Sequence, residues 1–215
     1  MFEYILFDFD GTVVDTGEGI LRSLQYSFSE MGDRVPSFDE LKKFIGPPVY
    51  YSFTHYYGIS EDKVGDYIKK YRERYKREGI YESGLYNNML TLLGTLKDCG
   101  VKTGVASSKP EHLIFDVADH LDITKYFDVI VGVKSDASNH SSKTGLITEA
   151  MEKLGVADKS KVLMVGDRHY DITGAKGAGV SSCGCLWGYG NKEEFIEYEA
   201  DFIVSDPLEI VKLVK

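Results

Sequence analysis

One stretch near the start of the chain decides the fold: residues 4–13 read YILFDFDGTV. Its first four residues, apolar or aromatic, predict a short buried strand that delivers Asp8 and Asp10 into a Gly-Thr turn. Because side chains alternate along a strand, the two carboxylates share a face if the extended geometry persists. Like charges held that close repel each other unless a cation or a shared proton lies between them. The stretch therefore suits Mg²⁺ binding combined with a carboxylate nucleophile.

The composition narrows the class of protein. A chain of 215 residues permits one large α/β domain, or a core domain with a smaller insert. A net charge of -9 argues against nonspecific binding to nucleic acid or anionic membranes. No apolar run approaches the length of a membrane span, and the N-terminus lacks a secretory pattern. We therefore expect no nucleic-acid or membrane partner, and a monomer or a homodimer.

The number of cysteines indicates the redox state of the compartment in which the protein works. There are three of them, and an odd, sparse set fits a reducing cytoplasm better than a disulfide scaffold. Cys183 and Cys185 lie in a stretch of small residues that reads as a strand. We expect both to pack in or beside a sheet rather than to form a metal or redox pair.

Strand and helix patterns alternate along most of the chain, which predicts a parallel sheet covered on both faces. The predicted fold class is α/β, a doubly wound and mostly parallel Rossmann-like sheet. Predicted strands cover residues 4–9, 101–106, 129–133, 162–165, 180–186 and 201–204, and predicted helices cover residues 89–97, 111–121, 146–154, 172–178 and 207–214.

Residues 15–84 break this alternation. They hold helical patterns at 19–31, 38–44 and 61–77, many tyrosines and no convincing strand. We interpret them as an inserted all-helical domain, so that residues 1–14 and 85–215 form the core domain.

Three further polar groups follow predicted strands, where ligand sites of open α/β sheets lie. Ser107 ends one strand, and the following residues 108–110, Ser-Lys-Pro, are expected to open a helix whose N–H groups suit a phosphate oxygen. Lys143 precedes another helix, with Lys134 as a weaker rival. Asp167 and Asp171 stand in a Gly-Asp-x-x-x-Asp pattern after an apolar strand.

Taken in chain order, these motifs resemble those of the haloacid dehalogenase superfamily phosphatases with a helical cap. The resemblance rests on Asp-x-Asp-Gly-Thr at 8–12, Val-Ala-Ser-Ser-Lys-Pro at 105–110, Lys143, and Gly-Asp-x-x-x-Asp at 166–171. The combination of Gly-Pro-Pro at 46–48 with Val-Ala-Ser-Ser-Lys-Pro and Gly-Asp-Arg-x-x-Asp looks most like the phosphoglycolate phosphatase and 5′-nucleotidase-like branch. The resemblance covers essentially the whole chain.

The resemblance implies a role for each carboxylate and for the lysine. Asp8 is expected to attack phosphorus, and Asp10 to protonate the leaving oxygen and then to activate water. Lys143 neutralises the phosphate and the nucleophile. Mg²⁺ is expected on Asp8, the backbone carbonyl of Asp10, and Asp167. Asp171 acts through water or by holding Lys143.

The resemblance also implies a Mg²⁺-dependent phosphomonoester hydrolase for small phosphate esters, with residues 15–84 as a mobile cap. The residues expected to bind substrate or phosphate are Gly11, Thr12, Gly46, Pro47, Ser107, Ser108 and Lys109.

Two alternatives stay open from the residues alone. A β-phosphoglucomutase-like phosphotransferase uses nearly the same core motifs, and differs in transferring the phosphoryl group to a sugar. A noncatalytic phosphate-sensing module is the other alternative. The presence of all the motif residues argues against it, because such a module need not keep them. A dehalogenase is disfavoured because such relatives need neither Asp10 nor Mg²⁺, and a phosphonatase because no cap lysine is marked by its context.

Overall fold

The computed structural model describes residues 1–134 and 142–214. Strands in this part of the chain are β1 (Tyr4–Phe7), β2 (Val14–Asp15), β3 (Gly84–Leu85), β4 (Lys102–Pro110), β5 (Val129–Val133), β6 (Val162–Gly166), β7 (Ser181–Cys185) and β8 (Phe202–Val204). Six of them form a sheet in the order β5-β4-β1-β6-β7-β8 with every neighbouring pair parallel. The remaining two, β2 and β3, form a short antiparallel pair.

The α-helices are α1 (Gly17–Glu30), α2 (Phe38–Leu41), α3 (Val49–Tyr51), α4 (Glu61–Arg77), α5 (Met89–Asp98), α6 (Glu111–His120), α7 (Lys143–Leu154), α8 (His169–Ala178) and α9 (Lys192–Glu197). A π-helical turn covers Ser52–Tyr56, and 3-10 helices cover Lys42–Phe44, Gly79–Tyr81, Thr124–Tyr126, Lys159–Lys161 and Pro207–Leu213. None of the helices among the described residues is long and apolar enough to cross a membrane.

The central strand β1 separates two hydrophobic cores, as expected for a sheet with helices on both faces. Ile5 and Phe7 belong to the larger core, together with apolar residues of α5 and α6 such as Leu92. Leu6 points the other way and joins a smaller core with Ile147 of α7. The predicted doubly wound α/β fold is confirmed.

The helices α1 to α4 lie in the chain between β2 and β3, so the expected helical insert is present at the expected place. Its interior is aromatic. The ring of Phe28 lies 5.7 Å from that of Phe53, 4.9 Å from that of Tyr57 and 5.7 Å from that of Tyr67. Tyr57 and Tyr67 therefore pack the interior of the insert. The domain boundary at residues 15 and 84 stays a prediction.

The structure corrects several element boundaries. Ser108, Lys109 and Pro110 do not open a helix, because β4 runs on to Pro110, which pairs with Val133, and α6 begins at Glu111. Helices α7 and α8 begin at residues 143 and 169, three residues before the predicted starts, since their polar first turns carry no apolar periodicity. Helix α9 was missed for the same reason: its sequence KEEFIE is mostly charged.

The cysteine prediction is confirmed. Cys183 and Cys185 are buried in β7, and all three cysteines are free. Burial raises the pKa of the Cys183 thiol to about 12, so the thiol is neutral at physiological pH.

Candidate active site

The candidate site lies where the order of strands in the sheet reverses. The chain runs from β1 outward to β4 and β5 and then returns to β6 on the other side of β1, a switch point where open α/β sheets bind ligands. Asp8 follows β1 and Asp167 follows β6, while Ser107 lies near the end of β4. The backbone N–H of Asp8 donates to the carbonyl of Val165, 2.9 Å away. Parallel pairing thus brings the predicted strand-end residues to one edge of the sheet.

Three buried carboxylates meet there. Asp8, Asp167 and Asp171 each place an oxygen within 4.8 Å of the others, and this is the one such group found among residues 1–134 and 142–214. Burial, then the charges of Asp171 and Asp8, raise the pKa of Asp167 well above its ordinary value of 3.8. Burial also raises the pKa of Asp8, although Lys143 opposes the rise. The arrangement concentrates negative charge that a cation would offset.

Lys143 joins two of these carboxylates. Its Nζ lies 2.6 Å from an oxygen of Asp8 and 2.7 Å from an oxygen of Asp171, and its side chain is 8% exposed. Burial alone would lower the pKa of Lys143, but Asp171 and Asp8 raise it above its ordinary value, so the lysine stays charged. Asp171 is fixed in turn, because it accepts a hydrogen bond from the backbone N–H of Arg168 at 3.0 Å. Asp171 therefore holds Lys143, one of the two roles expected of it.

Asp167 is positioned by the loop after β1 and the loop after β7. The Thr12 hydroxyl donates to one of its oxygens at 3.2 Å, and the Tyr189 backbone N–H donates to the other at 2.9 Å. Gly11 has a φ of +86°, and a Cβ on it would lie 2.3 Å from the Asp167 carboxylate. A side chain at position 11 would thus displace the carboxylate.

Asp10 contacts a different lysine. The alternation of β1 ends at Phe7, and the next residues turn, with the Phe9 carbonyl accepting hydrogen bonds from Val13 and Val14 at 3.0 Å each. Lys109 Nζ donates to the two Asp10 oxygens at 2.9 and 3.1 Å. Because the chain turns after Phe7, Asp8 and Asp10 contact different lysines, Lys143 and Lys109.

Two residues of the helical segment, Thr16 and Tyr75, lie close to Asp10. Thr16 donates its hydroxyl to Asp10 at 2.8 Å. The ammonium of Lys109 donates to the Tyr75 hydroxyl at 2.7 Å, and Tyr75 is fully buried on α4. Sequence reasoning singled out neither Thr16 nor Tyr75, because only tertiary packing brings them to the site.

The residues expected to bind phosphate divide into two groups. Ser107 is 2% exposed, its hydroxyl accepts a hydrogen bond from the Lys109 backbone N–H at 3.3 Å, and its side chain acts to lower the pKa of Asp8 against the effect of burial. Ser108 lines a cleft of about 370 Å³ together with Lys143 and with Gly46 and Pro47 of the insert. Ser108 of the core and Gly46 and Pro47 of the insert therefore line the same cleft.

The other three are engaged within the protein. The N–H of Gly11 donates to the Val14 carbonyl at 2.9 Å, and the hydroxyl of Thr12 is bound to Asp167. Lys109 is paired with Asp10. Their predicted contact with phosphate stays a prediction. Thr12 therefore contacts the Asp167 carboxylate, and Lys109 contacts the Asp10 carboxylate.

Lys134, the weaker rival of Lys143, lies elsewhere. Its Nζ contacts Glu111, and it lies 3.2 Å from Glu149. Lys143 is therefore the lysine of the two that contacts Asp8, and its catalytic role stays a prediction.

A conspicuous loop after β7 also reaches the site. Trp187 donates its indole N–H to the Thr12 carbonyl at 2.9 Å, and the Tyr189 hydroxyl donates to Asp15 at 2.7 Å. The sequence Trp-Gly-Tyr-Gly at 187–190 is the signal that could have assigned this loop to the site.

Comparison with known proteins identifies the family. The sequence profile of the haloacid dehalogenase-like hydrolases matches residues 5–185. A 5′-nucleotidase from Pseudomonas aeruginosa is 34% identical over 202 residues, which are 94% of this chain and 90% of that protein. A phosphoglycolate phosphatase from Aquifex aeolicus is 32% identical over 211 residues, which are 98% of this chain and 95% of that protein.

A solved structure shows the same fold. The crystal structure of a predicted phosphatase from Clostridium acetobutylicum is 37% identical, with a TM-score of 0.92, and the match covers 99% of this chain and 98% of that one. Profile, relatives and fold agree with the clustered carboxylates, and the chain belongs to the haloacid dehalogenase-like hydrolase family.

Proposed function

We propose that this chain is a Mg²⁺-dependent phosphomonoester hydrolase that works through an aspartyl-phosphate on Asp8. The observation that carries the proposal is the position of Asp8, which contacts Lys143 and Ser107 at the switch point and lies beside Asp167 and Asp171. A buried site with several carboxylate oxygens and the fixed ammonium of Lys143 suits a carboxylate nucleophile and an incoming phosphate.

The donor set fits Mg²⁺. Asp8, Asp167 and Asp171 offer hard carboxylate oxygens, which Mg²⁺ prefers, and burial together with the charges of Asp171 and Asp8 raises the pKa of Asp167. Asp8 and Asp167 would hold the ion, with the Asp10 carbonyl as a further ligand, while Asp171 is engaged with Lys143. The bound ion supplies charge compensation for the nucleophile and the phosphate oxygens.

In the first step an Asp8 oxygen forms a bond to phosphorus as the ester O–P bond breaks. The leaving oxygen takes a proton from the Asp10 carboxyl, and Lys143 and Ser107 stabilise the charge on the phosphoryl oxygens. In the second step ionised Asp10 takes a proton from water. The water oxygen bonds to phosphorus, the bond to Asp8 breaks, and inorganic phosphate is released.

Residues 15–84 complete the proposal as a cap over the core of residues 1–14 and 85–215. Support comes from Arg168 after β6, whose guanidinium donates to the Ile45 carbonyl of the insert at 3.3 Å, and from the contact of Lys109 with Tyr75. The β2–β3 pair at the two connections would be the hinge. A closed cap excludes water from the reaction.

The substrate class is a small phosphate ester of the phosphoglycolate or nucleoside 5′-monophosphate type, in line with the names of the two relatives. We also propose that the protein is cytoplasmic and that it is a monomer or a homodimer.

Phosphate release from a panel of esters, with Mg²⁺ and with a chelator, tests this function. The panel contains phosphoglycolate, nucleoside 5′-monophosphates, sugar phosphates and pyrophosphate, and a sugar acceptor is added to detect transfer. We expect Mg²⁺-dependent release, and Asp8→Asn to lower it by at least about 1,000-fold without loss of folded structure. Full activity of Asp8→Asn would overturn the mechanism, and transfer to the sugar would favour the mutase alternative.

A further inference from the structure

Tyr189 contacts two parts of the protein at once. Its backbone N–H donates to an oxygen of Asp167 at 2.9 Å, and its hydroxyl donates to an oxygen of Asp15 at 2.7 Å. Asp167 belongs to the buried carboxylate cluster, whereas Asp15 lies in β2, which leads from the core into the helices of the insert. One residue of the loop after β7 thus joins the proposed metal site to the start of the insert.

Asp15 is itself held in place by the insert. The oxygen that accepts the hydrogen bond from Tyr189 also accepts one from the backbone N–H of Gly17, the first residue of α1, at 3.1 Å. Asp15 is also paired with Gly84 of β3, through which the chain returns to the core. The Tyr189 hydroxyl therefore binds an acceptor whose position is set by both connections between insert and core.

Two glycines make room for the side chain of Tyr189. A Cβ on Gly11 would lie 2.7 Å from Cδ2 of the tyrosine ring, and a Cβ on Gly17 would lie 2.2 Å from its hydroxyl oxygen. Both distances are much shorter than a van der Waals contact. The ring therefore lies directly against the turn after β1 and the start of α1, and a shift of its hydroxyl would also move the main chain that contacts Asp167.

We propose that Tyr189 is a positioning residue for Mg²⁺: its hydroxyl, anchored on Asp15, keeps its backbone N–H directed at the Asp167 carboxylate. A hydrogen bond to a metal ligand fixes the orientation of that ligand, and the loss of such a contact commonly weakens metal binding by about 10- to 100-fold. The Tyr189 hydroxyl acts one step further out, so its effect is smaller. The inference rests on the part of the proposed function that places Mg²⁺ on Asp167, and it makes Mg²⁺ affinity depend on the connection to the insert.

The dissociation constant of Mg²⁺, measured on the full chain without substrate, tests the proposal. It follows from the rise of the unfolding temperature with Mg²⁺ concentration. Tyr189→Phe keeps the ring and the backbone N–H and removes only the hydroxyl, and we expect it to raise this constant by about 3- to 10-fold. Asp15→Ala should raise it by a similar factor. The double variant should bind Mg²⁺ no more weakly than the weaker single variant, because both changes break the same contact.

Asp15→Asn separates the hydrogen bond from the charge. The amide oxygen of asparagine can still accept from the Tyr189 hydroxyl, so this variant should bind Mg²⁺ within about twofold of the wild type. Tyr26→Phe is the matched control, because the Tyr26 hydroxyl also donates to a carboxylate, that of Glu73, at 3.1 Å, but does so between α1 and α4 of the insert. Its dissociation constant for Mg²⁺ should equal that of the wild type.

The outcomes separate this inference from the proposed function. If Tyr189→Phe only unfolds at a lower temperature in a chelator and binds Mg²⁺ as tightly as the wild type, its contact with Asp15 is merely structural and the inference is overturned. If Asp15→Asn weakens binding as much as Asp15→Ala, the charge of Asp15 acts on the ion and its role as an anchor for Tyr189 is overturned. Both results leave the phosphatase mechanism standing, since phosphate release tests it separately. If Mg²⁺ does not stabilise the folded wild type, the metal's place in the proposed function and this inference fail together.

Discussion

The ammonium of Lys109 lies 2.9 Å from one carboxylate oxygen of Asp10 and 3.1 Å from the other. The Lys109 side chain is 4% exposed and that of Asp10 is 13% exposed, so the pair is largely shielded from water. Tyr75 of α4 receives a further hydrogen bond from the same nitrogen. The group expected to move protons is therefore tied, through one lysine, to the helical insert.

We expect Lys109→Met to lower the free energy of unfolding by about 2–4 kcal/mol, because it leaves the Asp10 charge without its cation in a shielded place. The double variant with Asp10→Asn should lose less than the sum of the two single variants, since it removes both charges. Urea unfolding of the four proteins measures this coupling. Lys102→Met, which breaks an exposed pair with Asp128, is the control and should cost less than about 1 kcal/mol. Strict additivity would show that Lys109 and Asp10 do not stabilise each other.

A second prediction separates the two proton transfers assigned to Asp10. With p-nitrophenyl phosphate the leaving group needs no proton, so Asp10→Asn should still form the aspartyl-phosphate but hydrolyse it slowly. Stopped-flow absorbance should then show a burst of about one nitrophenol per active site, followed by turnover at least about 100-fold below the wild type. With an alkyl phosphate, rapid-quench measurement of the released alcohol should show no burst, because that leaving oxygen does need the proton. Equal loss on both esters without a burst would contradict the acid and base roles.

The motif-bearing part of the site could be predicted from sequence because its residues follow strands. Asp8, Ser107 and Asp167 end neighbouring parallel strands or lie near those ends, and parallel pairing gathers such ends at one edge. Lys143 starts a helix that packs beside the same edge, and the structure places it on Asp8 as expected. For these residues, the strand and helix patterns of the sequence are enough to predict which side chains meet.

The Asp10 side could not be predicted in the same way. Its position depends on the turn after Phe7. Its partner Lys109 is 99 residues away in the chain, and Tyr75, which contacts Lys109, is 34 residues from that lysine. Pro110 suggested a helix start and so a phosphate-binding Lys109, but the pairing of Pro110 with Val133 keeps this segment extended. Contacts between the insert and the core have no local sequence signal, so only the folded chain reveals them.

Glycine 11 provides a third prediction. Gly11→Ala places a Cβ 2.3 Å from the Asp167 carboxylate at a φ of +86°, so both the clash and the backbone strain oppose it. We expect a loss of more than about 2 kcal/mol in unfolding free energy and a loss of Mg²⁺-dependent activity. Gly94→Ala is the matched control: Gly94 lies within α5 and its Cβ would meet nothing within 4 Å, so it should gain about 0.5–1 kcal/mol. Similar effects of the two variants would mean that position 11 does not shape the carboxylate cluster.

The last prediction concerns Asp167, whose pKa is raised above 3.8 by burial and by the charges of Asp171 and Asp8. A carboxyl with a raised pKa in the folded state favours folding at low pH, and that contribution is lost as the pH rises through the folded-state pKa. In a chelator, the wild type should therefore become less stable relative to Asp167→Asn as the pH rises from about 4 toward neutrality. Thermal unfolding of both proteins across that range measures the difference. At neutral pH, Mg²⁺ should raise the unfolding temperature of the wild type more than that of the variant, because the ion offsets the repulsion and binds through Asp167. A difference that is constant with pH, together with equal stabilisation by Mg²⁺, would show that Asp167 neither bears the like-charge repulsion nor binds the metal.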